Sequence, residues 1–103
     1  MVELRRTDQF SKWLDELADL RARARVLVRI ERLATGNPGD AKPIGAGASE
    51  MRIDYGPGYR VYFLRRGREL IILLAGGDKQ TQAADIALAL RLAHEIGNTK
   101  GAP

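Results

Sequence analysis

SEMRIDYGPGYRVYFLRRGRELIILLAGGDKQTQAAD, residues 49–85, reads as three strands in succession. Residues 50–55 alternate between polar and apolar, and Gly56-Pro57-Gly58 supplies the chemistry of a tight turn. Residues 59–65 make the next strand, and Arg66-Gly67-Arg68 turns the chain again. Residues 69–75 are almost wholly apolar, which suits a central strand covered on both faces. Gly76-Gly77-Asp78-Lys79 breaks that run and carries a lysine toward a final helix over 81–96. Ala84, Ala87, Leu88, Leu92 and Ile96 form the apolar side of that helix.

Side chains alternate across a strand, so parity sorts them into faces. Met51, Ile53 and Tyr55 share one face with Tyr59, Val61 and Phe63. Arg52 and Asp54 share the other with Arg60, Tyr62 and Leu64. With helices on the apolar set, Arg52 and Arg60 look out together from an open side, and Lys79 reaches its edge. Two guanidiniums and an ammonium on a rigid sheet can grip phosphate oxygens through charge-assisted hydrogen bonds. Tyr62 offers a ring for stacking a base or a hydroxyl to donate. A cross-strand pair such as Arg60 with Asp54 is the purely structural alternative.

Upstream, residues 2–6 read as a short strand with Val2 and Leu4 inward. Thr7 or Asp8 caps a helix over 9–20, whose apolar face is Phe10, Trp13, Leu14 and Leu17. A second helix covers 21–35, with Leu27, Ile30, Leu33 and Ala34 buried and Gly36 closing it. Arg21, Arg25, Arg29 and Arg32 recur at helical spacing and form a basic ridge, either a solvated face or a surface for a partner. Residues 40–48, including Lys42, show no period and read as a mobile loop.

The 103 residues make one domain, 1–97, followed by a flexible tail over 98–103. Cysteine is absent, which excludes disulfides and thiolate metal sites. His94 is the single histidine, so a histidine-rich metal centre is excluded too. No apolar run approaches the roughly 20 residues that span a bilayer, and the first ten residues lack the apolar core of a signal peptide. The formal net charge of +4 points to a polyanionic or acidic partner.

The order strand, two helices, three strands, helix resembles the RelE/ParE superfamily of toxin–antitoxin toxins. Its HigB-like branch, the phage-related addiction module killer proteins, is the most similar part. The likeness rests on Arg52 before the Gly-Pro-Gly turn, on Gly58-Tyr59-Arg60-Val61-Tyr62, and on Gly76-Gly77-Asp78-Lys79 with Gln82, Asp85 and Ile86. It implies an α+β fold of order β-α-α-β-β-β-α, with a twisted, mainly antiparallel four-stranded sheet and the helices on one side. It implies a cytoplasmic prokaryotic toxin of a type II system, neutralised by a cognate antitoxin that carries a helix-turn-helix.

In RelE-like members the activity is ribosome-dependent cleavage of mRNA, with the RNA 2′-hydroxyl as nucleophile and neither metal nor cofactor. Carried over by position, Arg60 matches the third-strand arginine that stabilises charge on the phosphorane. Arg52 approximates a second-strand cation, and Lys79 the cation after the last strand. Those three are the expected catalytic residues. With Tyr62 and Lys42 they make the expected RNA-binding set, and Arg21, Arg25 and Arg29 are the expected antitoxin contacts. Operator DNA would be met only through the antitoxin. Many cleaving members have a tyrosine or histidine at an end of the last helix to move protons, whereas Gln80, Thr81 and Gln82 stand at its start here. Two other outcomes follow from the same resemblance: a non-enzymatic inhibitor of DNA gyrase of the ParE type, and an inactive homologue that only binds antitoxin.

Overall fold

A computed structural model describes residues 2–98. The elements are β1 (Glu3–Arg6), α1 (Asp8–Asp15), α2 (Leu20–Ala34), β2 (Ala41–Gly45), β3 (Ala48–Ile53), β4 (Tyr59–Arg66), β5 (Leu70–Gly77) and α3 (Gln82–Asn98). One sheet runs β1-β5-β4-β3-β2. β1 lies parallel to β5, and the other pairings are antiparallel. This is a small α+β domain with three helices and a five-stranded, mostly antiparallel sheet. Among the described residues no helix is long and apolar enough to cross a membrane.

The fifth strand corrects the expectation of a loop over 40–48 and of a four-stranded sheet. β2 pairs with β3 through a two-residue turn in which Ala46 and Gly47 both have positive φ, 54° and 80°. That is the backbone of a primed hairpin turn, whose twist matches the strands it joins. The period was hidden because β2 is an edge strand, largely exposed, with a proline at position 43.

The second correction concerns the helices. Phe10 and Leu14 of α1 and Val26, Ile30 and Leu33 of α2 pack on Met51, Ile53, Val61, Phe63, Ile71 and Leu73. Ala89, Leu92 and Ala93 of α3 pack on the opposite face, over Tyr62, Leu64, Ile72, Leu74 and Ala75. The parity sets are as the alternation assigns them, but both faces are covered. The reason is chemical: β4 and β5 are apolar on both faces, so each face must be hidden from water.

Bulge and glycines shape the end of β5. The register slips between Tyr62 and Phe63, so Leu74 and Ala75 both turn toward α3. Gly76 then faces the indole of Trp13, and Gly77 faces Asp85 and Thr81. The glycines expected to break the strand are its last two residues, bare so that a helix can close down on each side.

Thr7 caps α1, its hydroxyl accepting from Phe10 N at 3.1 Å, and Asp19 caps α2. Four expected burials fail. Leu4 lies on an exposed edge strand, Leu27 turns outward while Ala22 and Val26 take the buried side of α2, and Ala84 and Ala87 are exposed on α3. Asn98 ends α3 rather than beginning a tail, and the remaining tail lies outside the described residues.

Candidate functional site

Arg52 and Arg60 are cross-strand partners in the β3–β4 ladder, so their side chains leave the sheet side by side. Lys79 arrives on the loop after β5, held where its backbone N–H meets Pro57 O at 3.4 Å. All three line a cleft of about 360 Å³ at the end of the sheet that α3 does not cover. Asp40, Asp54 and Tyr59 line it as well. Gly58, with φ at 81°, lets the walls approach: a Cβ there would lie 3.3 Å from Arg60 Nη1 and 3.6 Å from Lys79 Cβ.

Arg60 is not the open side chain that parity suggested. It is 6% exposed, and beside it Glu50 is wholly buried. Arg60 Nη1 donates to Gly58 O at 2.8 Å, and its Nε lies 3.5 Å from Glu50 Oε2. Glu50 Oε2 also accepts from the Tyr62 hydroxyl at 3.1 Å and from Gln82 Nε2 at 2.9 Å. Among the described residues, Arg60 Nε and Glu50 Oε1 have no hydrogen-bond partner. The Arg60–Glu50 contact is therefore a buried charge pair rather than a hydrogen bond. It orients the guanidinium and partly neutralises it. Arg52 is half exposed, with Asp40 Oδ2 at 3.9 Å from its Nε, so it carries the more accessible charge.

Two of the expected RNA contacts lie elsewhere. Tyr62 is wholly buried beneath α3 and has no ring face open to a base. Lys42 stands on the edge strand β2 with its ammonium 4.0 Å from Glu50 Oε1, outside the cleft lining. Tyr59 is the aromatic residue at the cleft. Burial, then the charges of Asp19 and Asp78, raise its hydroxyl above the ordinary value. His94 lies about 18 Å along α3 from Gln82 at 1.5 Å per residue, so the lone histidine is not part of this site. Asp78 Oδ1 is occupied by the backbone N–H groups of Gln80 and Thr81. Among the described residues no three histidine or carboxylate side chains gather where they could hold a metal ion.

Sequence reasoning missed Glu50 and the bond that Gln82 makes to it. A signal existed for Glu50: it shares parity with Arg52, and the β3–β4 register sets it directly across from Tyr62. Gln82 enters only as part of the family likeness; its bond to Glu50 could not be read, because its reach depends on where α3 packs.

The Tyr62–Glu50 contact has a measurable signature. Burial, then the Glu50 charge, pushes the Tyr62 hydroxyl well above its ordinary 10.0. Above pH 10 the unfolded chain releases this proton and the native state keeps it. Stability therefore falls as pH rises, by roughly 1.4 kcal/mol per pH unit from this group. Urea midpoints taken from pH 8 to 11 should show a shallower decline for Tyr62→Phe than for the parent chain. Equal slopes would remove Tyr62 from the account.

On α2, Arg21, Arg25, Arg29 and Arg32 line a second depression of about 610 Å³. Arg29 is committed to the fold, with Nη1 donating to Arg52 O at 2.7 Å and Nη2 to Pro38 O at 2.9 Å. The Arg25 guanidinium lies 4.6 Å over the Tyr55 ring, and Arg21 is exposed.

Fold and cleft together define a small α+β domain with a cation-lined cleft at one end of a sheet sandwiched between helices. More particularly, the chain belongs to the phage-derived Gp49-like protein family (DUF891), whose model matches residues 12–94. It is also 48% identical over 96 residues to an uncharacterized protein of Haemophilus influenzae, an alignment covering 93% of this chain and 97% of that one.

Proposed function

We propose that this chain is the toxin of a type II toxin–antitoxin system and that it cleaves mRNA on the ribosome. One observation carries the reading: Arg52, Arg60 and Lys79, from three separate elements, converge on a single cleft. A scissile phosphate seated there receives two guanidiniums and an ammonium, which suit the charge that grows on its oxygens when a neighbouring 2′-hydroxyl attacks. Asp54 is one of two carboxylates lining the same cleft, with Asp40, and in this reading it takes the hydroxyl proton. In this reading Lys79, an exposed side chain, protonates the departing 5′-oxygen. The Gp49-like family membership supports a toxin, and a cognate helix-turn-helix antitoxin is its proposed partner.

Primer extension on cellular transcripts after induction tests the reading. New 5′ ends should appear with the parent chain and fall about 10²–10³-fold with Lys79→Ala, a change at an exposed side chain. Growth arrest with intact transcripts would overturn cleavage and favour a gyrase inhibitor of the ParE type. Antitoxin binding without growth arrest would favour an inactive homologue.

A further inference from the structure

α2 buries one face and leaves an unusual surface on the other. Ala22, Val26, Ile30 and Leu33 point to the sheet. On the opposite side, Leu20, Ala24, Leu27 and Val28 fall at helical spacing in one exposed stripe. Leu20 is 73% exposed, Val28 49% and Leu27 40%. Leu4 is the one other large apolar side chain that exposed among the described residues. Clustering of this kind on a small domain marks a contact surface rather than chance exposure. Arg21, Arg25 and Arg32 run along one edge of the stripe. Among the described residues no carboxylate lies within ion-pair distance of any of these three arginines.

We propose that the outer face of α2 docks an acidic amphipathic helix of a protein partner. The depression beside the arginines has Ala24, Val28 and Ile53 as its apolar wall. From Arg21 to Arg32 it extends about 17 Å at 1.5 Å per residue, which accommodates roughly three turns of a helix. Such a helix places apolar residues on the stripe and Asp or Glu along the arginine edge, the usual division between a hydrophobic anchor and charge complementarity. A second copy of this chain is a poor occupant, because a two-fold interface would bring Arg21, Arg25 and Arg32 against their own copies. RNA satisfies the arginines but leaves Leu20, Leu27 and Val28 without a use.

The depression shares Ile53 and Asp54 with the cation-lined cleft, so a helix seated on α2 ends at the mouth of the cleft. The docking surface stands on α2 alone. Only the identification of its occupant as the neutralising antitoxin rests on the toxin reading.

The test uses the full chain and two labelled 14-residue helical peptides. Both carry leucines at positions i, i+3, i+4 and i+7. One has glutamates on the flanking positions and its twin has lysines. Fluorescence anisotropy should show the glutamate peptide binding at least tenfold more tightly than the lysine twin. Val28→Asp, at a largely exposed position, should weaken it tenfold or more while circular dichroism shows an unchanged fold. Arg21→Glu with Arg25→Glu should transfer the preference to the lysine twin. Equal affinity for the two peptides, or indifference to Val28→Asp, would overturn the proposal. So would a parent dimer in sedimentation that Val28→Asp dissociates, which assigns the face to a second copy. An RNA oligonucleotide that binds in a manner lost with the arginine pair but not with Val28→Asp would assign it to nucleic acid and also overturn it. Absence of RNA cleavage with peptide binding intact would remove the nuclease reading and leave the docking surface standing.

Discussion

Glu50→Ala is expected to cost about 3 kcal/mol, which for a domain of this size lowers the thermal midpoint by roughly 12–24 °C. The substitution does more than remove a contact. Arg60, 6% exposed, is left with a desolvated charge and no counter-ion, while the Tyr62 hydroxyl and Gln82 Nε2 lose their shared acceptor. Glu50→Gln keeps the shape and an acceptor oxygen and removes only the charge, so its cost should be the smaller of the two. Arg60→Met is expected to destabilise for the mirror-image reason, since it strands the buried carboxylate.

A double-mutant cycle separates the pair from its surroundings. Glu50→Ala with Arg60→Met should fall short of the summed single costs by about 1–3 kcal/mol, because neither charge then remains buried alone. Strict additivity in urea denaturation would mean that the 3.5 Å contact carries no coupling. If RNA cleavage is the activity, Glu50→Gln should also reduce it at temperatures where the variant is fully folded. The guanidinium would then have lost the carboxylate that orients it toward the cleft.

Gly76→Ala is expected to destabilise by about 3 kcal/mol, an unusually large effect for adding one methyl group. The new Cβ would run into the Trp13 indole at Cε3, Cδ2 and Cζ3. That ring cannot swing aside cheaply. It is tilted against Phe10 with centroids 5.7 Å apart and stands edge-on to Tyr59 at 6.3 Å. α1 would have to lift from the sheet, exposing Phe10, which is now wholly buried. Gly97→Ala is the control: it lies in α3 with nothing within 4 Å of the new carbon, so it should be neutral or stabilise by up to about 1 kcal/mol. Denaturant midpoints for the two variants should therefore move apart. A Gly76→Ala cost below about 0.5 kcal/mol would contradict the close approach of α1 to β5.

Much of this molecule is legible in its residues because the relevant periods are local. The two-residue alternation at Met51, Ile53, Val61 and Phe63 assigns one face of the sheet without knowledge of any other element. The same alternation places Arg52 beside Arg60, and the β3–β4 register does pair them. Thr7 as a helix cap and the Gly56-Pro57-Gly58 turn are likewise matters of a few neighbouring residues.

The rest depends on contacts between residues far apart in the chain. β2 has no clear period of its own and exists because β3 supplies its hydrogen bonds. α3 could have joined α1 and α2 on one face. It crosses to the other because the second sides of β4 and β5 are also apolar and need cover. That choice turns an apparently open basic face into a buried Glu50–Arg60–Tyr62 network with a small cleft at its end. Alternation determined which side chains share a face, since each residue sets its own direction along a strand. Whether that face meets water, a helix or a ligand was decided only by packing, because burial belongs to the assembled elements and not to any one of them.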